Sequence, residues 1–273
     1  MSDRTRSALA RLRAGLREMP EPVVAVSGGV DSMTLAFVAR CVCGSETRMV
    51  HAVSPAVPPD ATARVRGYAA REGWRLEVLD AGEMADPRYL ANPGNRCYFC
   101  KSNLYGSMSR MTSGTLLSGT NLDDLGDYRP GLVAAREHRV RHPYVESAIG
   151  KETVRAIAAR LGLGDLAELP AGPCLSSRVE TGIRIEARFL EAIDACEKTL
   201  GALLSPRTLR CRLRRARIEV ELDARTLAGL GDELRETAAA QVARIFARTG
   251  CRLPVEFAAY RRGSAFLGRG GNG

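Results

Sequence analysis

Long apolar runs are missing from this chain: no stretch approaches the roughly 20 residues that a membrane-spanning helix needs. The early arginines Arg4, Arg6 and Arg11 have no apolar signal core behind them, so a cytoplasmic protein without a membrane partner is expected. Lysine is scarce. It occurs only at Lys101, Lys151 and Lys198, although lysine and arginine together number 40 and the net charge is +9. That bias reads as a preference for arginine at exposed sites, and it makes a retained lysine informative, because a compact point charge in a tight anion site is not replaced by a planar fork. Lys101, beside Cys100, is the lysine to watch, while Lys151 and Lys198 read as solvated helix faces. Aromatic residues make up only 5%, and the arginines are scattered instead of interleaved with them, which argues against the stacking platform of an RNA reader. A Walker ending is absent too, since Gly150-Lys151 is followed by Glu152 and lacks its upstream glycine, so the chain is not a P-loop NTPase. Gly162-x-Gly164-x-x-Ala167 follows a helical stretch over 152–161, not a strand, and reads as a helix end and loop, not a dinucleotide site.

What is present begins with 273 residues of 45% hydrophobic content, enough for one large or two modest domains with a real core. An amphipathic helix comes first, with Leu9, Leu12, Leu16 and Met19 on one side. Strands expected over 23–26, 49–53, 75–79 and 115–118 alternate with helices over 33–42, 61–72 and 101–111, a parallel α/β pattern. Ligands of such sheets collect beyond the carboxyl ends of the strands, where Ser27 to Ser32, Ser54 and Gly119 to Asp124 all fall.

Ser27-Gly28-Gly29-Val30-Asp31-Ser32, between strand and helix, has the chemistry of a phosphate loop. Glycines bring backbone N–H groups against phosphate oxygens, Ser27 and Ser32 add hydroxyl donors, and the following helix points its positive end at the anion. Asp31 would repel a bare phosphate, and its carboxylate makes sense on a magnesium ion carried by the polyphosphate. Asn121, Asp123 and Asp124, on the opposite loop, could serve ATP and magnesium or simply cap a helix; both readings stand.

Eight cysteines without a short secreted framework fit a reducing compartment. Cys97 and Cys100 stand in Arg96-Cys97-Tyr98-Phe99-Cys100-Lys101, and Cys174 in Pro173-Cys174-Leu175-Ser176-Ser177-Arg178. Three thiolates can hold an iron-sulfur cluster and leave one iron open to an extra ligand, and beside a nucleotide loop they suggest ATP-driven sulfur chemistry. Zinc is the structural alternative, with His51, His138, His142 or another cysteine as fourth ligand. A redox dithiol is disfavoured because nothing around Cys97 reads as a thioredoxin-like strand-to-helix junction. Cys41, Cys43, Cys196, Cys211 and Cys251 sit mostly among apolar residues and read as packing.

The Ser-Gly-Gly-Val-Asp-Ser loop resembles that of the PP-loop ATP pyrophosphatases. Ser118-Gly119-Thr120-Asn121-Leu122-Asp123-Asp124-Leu125-Gly126-Asp127-Tyr128-Arg129-Pro130-Gly131, the segment around Cys174 and Tyr260-Arg261-Arg262-Gly263-Ser264 resemble the LarE family of sulfurtransferases. The resemblance implies an adenine-nucleotide alpha-hydrolase-like domain over 1–175, a small α+β substrate or oligomerisation domain over 176–268 and a disordered tail over 269–273. It further implies that ATP, as cosubstrate, adenylates a carboxylate of a nicotinate-derived pyridinium dicarboxylate mononucleotide, and that sulfur then displaces AMP, feeding the nickel-pincer cofactor of lactate racemase. Ser27, Gly28, Gly29, Asp31, Ser32, Thr120, Asn121 and Asp124 would hold ATP and Mg2+, the latter through Asp31. Cys97, Cys100 and Cys174 would hold a 4Fe-4S cluster carrying the transferable sulfide, as in the three-cysteine branch; a chain with only the third cysteine would sacrifice its own sulfur. Lys101, Arg178, Arg210 and Arg212 would contact the substrate, with a sulfide donor and a homo-oligomer as further expectations. A tRNA thiolase using the same loop and cluster is the alternative enzyme, although nucleic acid is not favoured, and a metal or nucleotide sensor without turnover is the non-catalytic one.

One departure concerns Glu168-Leu169-Pro170-Ala171, where family members carry a lysine at the position of Leu169, so a local cation is lost. Beyond Arg178, a helix over 185–200 precedes Leu209-Arg210-Cys211-Arg212-Leu213-Arg214, which alternates with Leu209, Cys211 and Leu213 inward and the arginines outward. Arg217-Ile218-Glu219-Val220-Glu221-Leu222 alternates likewise, predicting a hairpin whose outward arginines and carboxylates form either surface ion pairs or an anion pocket.

Overall fold

The computed structural model describes residues 3–126, 129–261 and 263–265. Tyr128 and the tail 269–273 therefore lie outside the described residues. The chain divides into two compact units, one comprising Met1–Glu83 and Cys97–Gly172, the other Met84–Arg96 and Pro173–Gly273.

In the first unit, β1 (Val23–Ala25), β2 (Arg48–Ala52), β3 (Arg75–Leu79) and β4 (Leu116–Leu117) form one sheet in the order β3-β2-β1-β4. Every pairing is parallel, so the unit is α/β as the alternating pattern predicts. Parallel strands are covered on both faces, and here the pleat divides the apolar residues accordingly. Val24, Val26, Met49 and Leu117 pack with the helices Asp3–Arg17, Val30–Cys43, Pro59–Glu72 and Lys151–Arg160. Val23, Ala25, Val50 and Leu116 pack with Arg96–Met111 and Pro130–Glu137 on the other face. The first helix buries Leu9, Leu12 and Leu16, with Met19 just beyond its end, the stripe its spacing predicts. Gly162 follows Lys151–Arg160 with φ +77, a left-handed helix exit, not a strand-borne cofactor loop.

The chain runs from β1 outward to β3 and then returns to place β4 on the opposite side of β1. A topological switch point results between β1 and β4, and the carboxyl end of the sheet at such a point is where ligands of this architecture bind.

In the second unit, β5 (Leu209–Leu213) and β6 (Ile218–Leu222) form the predicted antiparallel hairpin, and β7 (Val255–Ala259) adds in parallel to β6. Helices Ala187–Leu204 and Asp232–Ala247 pack on this sheet. The alternation of β5 is real, but its charged face is not solvated: Arg212 and Arg214 are 4% and 8% exposed, and Glu219 and Glu221 are 7% and 1% exposed. Arg212 pairs with Glu221 at 2.8 Å and donates to the carbonyls of Ser177 and Arg261, while Arg214 donates to Glu219 and to the Ser264 carbonyl. The carbonyls of Ser177, Arg261 and Ser264 thus supply the partners that let these charges leave water.

The segment at 84–96 is stitched into the same unit. Asn92, fully buried with φ +53, donates through Nδ2 to the carbonyls of Glu180 (2.8 Å) and Ile183 (2.9 Å) and accepts from Arg96. Tyr89 and Ser176 hydroxyls lie 2.6 Å apart.

Candidate active site

The loop after β1 is built so that its backbone faces an anion. Gly28 takes φ +81, and a Cβ there would come within 2.7 Å of the Ala61 carbonyl oxygen, so no other residue fits. Gly29 is the N-cap of Val30–Cys43 and offers no side-chain cap, leaving the first-turn N–H groups available to a ligand. Ser27 and Ser32 close the turn: the Ser27 N–H donates to Ser32 Oγ at 3.0 Å, and the Ser32 hydroxyl donates to the Gly29 carbonyl at 3.2 Å.

Behind the loop, His51 is a clamp. Its Nδ1 donates to the Val26 carbonyl at 2.8 Å, which leaves Nε2 to accept from the Thr62 hydroxyl at 2.9 Å. Both ring nitrogens are occupied, so His51 is not a metal ligand, and burial depresses its pKa and keeps it neutral. This clamp ties the helix Pro59–Glu72 to the end of β1.

The loop after β4 meets the phosphate loop at the switch point. Asn121 Nδ2 donates to Asp31 Oδ1 at 3.0 Å, and the Tyr144 hydroxyl donates to the Asp31 carbonyl at 2.9 Å. Gly119 makes the approach possible, because a Cβ there would stand 2.7 Å from the Ser32 nitrogen and 2.9 Å from Ser32 Cα. Asn121 and Asp124 also form a reciprocal capping box on the turn Leu122–Asp124, so the capping role weighed from sequence is fulfilled alongside the contact to Asp31. Asp123 accepts from the Lys151 N–H at 2.6 Å and fastens the turn to the helix Lys151–Arg160, while Arg129 pairs with Asp124 at 2.8 Å. Burial raises the Asp31 pKa; the Lys151 ammonium opposes this and the Asp124 carboxylate reinforces it. A half-buried carboxylate with a second one nearby fits a divalent cation, whose charge would offset both the burial and the repulsion.

Thr120 completes a hydrogen-bonded row in which Ser118 Oγ lies 3.0 Å from Thr120 Oγ1 and 2.8 Å from His142 Nδ1. Burial lowers the His142 pKa, the nearby Lys101 ammonium acting the same way, while Glu146 and Asp124 oppose it. Neither His142 nor Tyr144 carries a sequence signal for this position. The chain at Arg141 pairs beside β4 through the Ser118 N–H to the Arg141 carbonyl, and that non-local contact brings both residues in.

Cys97 and Cys100 occupy the first turn of Arg96–Met111, three residues apart on one helix face, and both are partly exposed. Gly131 lets the helix Pro130–Glu137 approach this turn, since a Cβ there would lie 3.1 Å from Lys101 Cγ and 3.6 Å from the Cys97 carbonyl oxygen.

Cys174 belongs to the second unit, where it precedes the short helix Leu175–Arg178. Arg178, 3% exposed, donates to the carbonyls of Pro173 (2.6 Å) and Cys174 (3.0 Å) and grips Glu197 with two hydrogen bonds of 3.0 Å. It therefore sets the backbone that presents Cys174. Arg210 is half-buried, and that burial, followed by the charge of Arg178, lowers its pKa. Among the described residues no group of three or more His, Cys, Asp or Glu side chains is arranged to hold a metal ion. The eight cysteines form no disulfide.

No family model matches the chain. It is 40% identical over 201 residues to the uncharacterized protein slr1717 of Synechocystis sp., covering 72% of this chain and 75% of that one. Uncharacterized protein MJ0830 of Methanocaldococcus jannaschii is 26% identical over 70% of this chain and 75% of its own length. Pyridinium-3,5-bisthiocarboxylic acid mononucleotide synthase of Lactiplantibacillus plantarum is 29% identical over 78% of each chain. At 40% identity over about three quarters of its length, slr1717 and this chain belong to one family, and the likeness to the Lactiplantibacillus synthase supports a LarE-like one.

Proposed function

We propose that this chain is an ATP-dependent sulfurtransferase that converts a carboxylate of a pyridinium dicarboxylate mononucleotide into a thiocarboxylate during nickel-pincer cofactor assembly. The observation that carries this reading is the meeting of the phosphate loop and the β4 loop, with Asn121 3.0 Å from Asp31. The name of the Lactiplantibacillus relative supports the acceptor. A carboxylate is a poor acyl donor, and adenylation supplies the leaving group: its oxygen attacks the α-phosphorus, pyrophosphate departs, and sulfur then adds to the acyl carbon as AMP leaves. Ser27, Gly28, Gly29, Ser32, Thr120, Asn121 and Asp124 hold the nucleotide in this scheme, and Asp31 holds Mg2+.

Cys97, Cys100 and Cys174 are the thiolates that would hold a 4Fe-4S cluster, which when bound supplies the transferable sulfide. Arg178 fixes the Cys174 backbone, and Arg210, half-buried near Arg178, suits an anionic group of the substrate, whereas Arg212 is spent on its buried pair with Glu221. The enzyme works in the cytoplasm as a homo-oligomer with a separate sulfide donor; among the described residues no helix is long and apolar enough to cross a membrane.

The test is mass spectrometry of anaerobically reconstituted protein incubated with ATP and either the pyridinium dicarboxylate mononucleotide or tRNA. Thiolated mononucleotide is expected. Thiolated tRNA instead would reassign the acceptor, and stoichiometric zinc without iron uptake would remove the cluster.

A further inference from the structure

The phosphate loop Ser27-Gly28-Gly29-Val30-Asp31-Ser32 contains no cation and carries one carboxylate, yet a bound triphosphate needs positive charge beyond backbone N–H groups. One side chain stands ready to supply it. Arg64, half-buried on the helix Pro59–Glu72, donates through Nη1 to the Gly28 carbonyl at 2.8 Å. A guanidinium has five N–H donors in a planar fork, so one bond to a carbonyl leaves most of its donors available. Among the described residues Arg64 has no carboxylate partner; its charge is not spent on an ion pair.

Its place is set by the same contacts that shape the loop. A Cβ at Gly28 would strike the Ala61 carbonyl at 2.7 Å, so the first turn of this helix lies directly against the loop. At the next residue, the His51 clamp on Thr62 holds the helix in register with the end of β1. The anchoring bond to Gly28 then orders a long side chain beside the loop before any ligand arrives, which lowers the entropy lost on binding.

We propose that Arg64 binds the terminal phosphates of the nucleotide and neutralises the charge that grows on pyrophosphate as it leaves. The inference rests on the nucleotide reading above and deepens it. In the step concerned, the acceptor carboxylate oxygen forms a bond to the α-phosphorus while the bond from that phosphorus to the α–β bridging oxygen breaks. The bond pair stays on pyrophosphate, and no proton moves. The guanidinium meets that negative charge in the way a cis-acting arginine serves other phosphoryl-transfer sites.

The experiment is calorimetric titration of ATP, pyrophosphate and AMP, each with Mg2+, into wild type, Arg64→Ala and Arg64→Lys. Loss of a charge-assisted contact should weaken ATP and pyrophosphate by roughly 10- to 100-fold in Arg64→Ala. AMP, which lacks the terminal phosphates, should bind as before, and Arg64→Lys should recover part of the loss. Equal weakening of all three ligands would make Arg64 a structural prop and overturn the proposal, as would unchanged pyrophosphate affinity. Should Arg64→Ala not fold, Arg64→Gln against Arg64→Lys makes the same comparison. Wild-type protein that binds neither ATP nor pyrophosphate would overturn the nucleotide reading itself.

Discussion

Replacing Gly119 with alanine should separate the two loops of the nucleotide site with a single methyl group. The new Cβ would stand 2.7 Å from the Ser32 nitrogen, 2.9 Å from the Asp31 carbonyl carbon and 2.9 Å from Ser32 Cα. All three are backbone atoms, so no flexible side chain can swing aside; the loops must part by about 1 Å to regain ordinary van der Waals separation. Overpacking of this kind costs about 1–3 kcal/mol of stability. The larger effect falls on the site, because the same movement stretches the 3.0 Å bond from Asn121 to Asp31. Displacement on that scale can cost as much as ~100-fold in function, and ATP affinity should fall at least about tenfold. Urea unfolding and calorimetric ATP titration read the two effects, with Gly126→Ala as the control, since nothing stands within 4 Å of a Cβ there. Gly119→Ala protein that unfolds and binds ATP like wild type would refute the claim that these loops meet.

Arg178→Ala removes the partner of Glu197 and the donors to the Pro173 and Cys174 carbonyls, in a place where Arg178 and Glu197 side chains are only 4% and 16% exposed. Stripping one member from a buried pair costs about 3–5 kcal/mol, measurable by urea unfolding; a loss below about 1 kcal/mol would mean the clamp is slack. His51 is held neutral, with its pKa depressed below 6.5 by burial, so the unfolded chain takes up the proton first as pH falls. The stability that His51 contributes is therefore full above that pH and declines below it, and His51→Gln should be less stable at pH 8 with a flatter profile between about pH 7 and 5. An unchanged slope in that window would place the titration elsewhere.

The parallel unit was legible because its strands and helices announce themselves by local period: Leu9, Leu12 and Leu16 face one core, and Val23 to Ala25 alternate between two. The phosphate loop was equally plain, being a strand, two glycines and a helix in succession. Period alone does not say what covers the second face of a strand. Arg212 and Arg214 alternate away from Leu213 as expected, yet Ser177, Arg261 and Ser264 supply their carbonyls to them, and such partners lie too far along the chain to register as a pattern. β7 escaped for a related reason: its burial is irregular, and only its parallel pairing with β6 makes it a strand. Arg64, His51 and His142 are single residues whose meaning comes from a carbonyl or hydroxyl on another element. The helix that bears Cys97 and Cys100 begins at Arg96, earlier than the 101–111 span, because its first turn carries aromatic and cysteine residues of modest helix propensity.

The products formed from ATP in the presence of the pyridinium dicarboxylate mononucleotide test the central claim most directly. Acceptor-dependent release of one pyrophosphate and one AMP per carboxylate thiolated is the predicted outcome. ADP and inorganic phosphate, or pyrophosphate release indifferent to the acceptor, would contradict it.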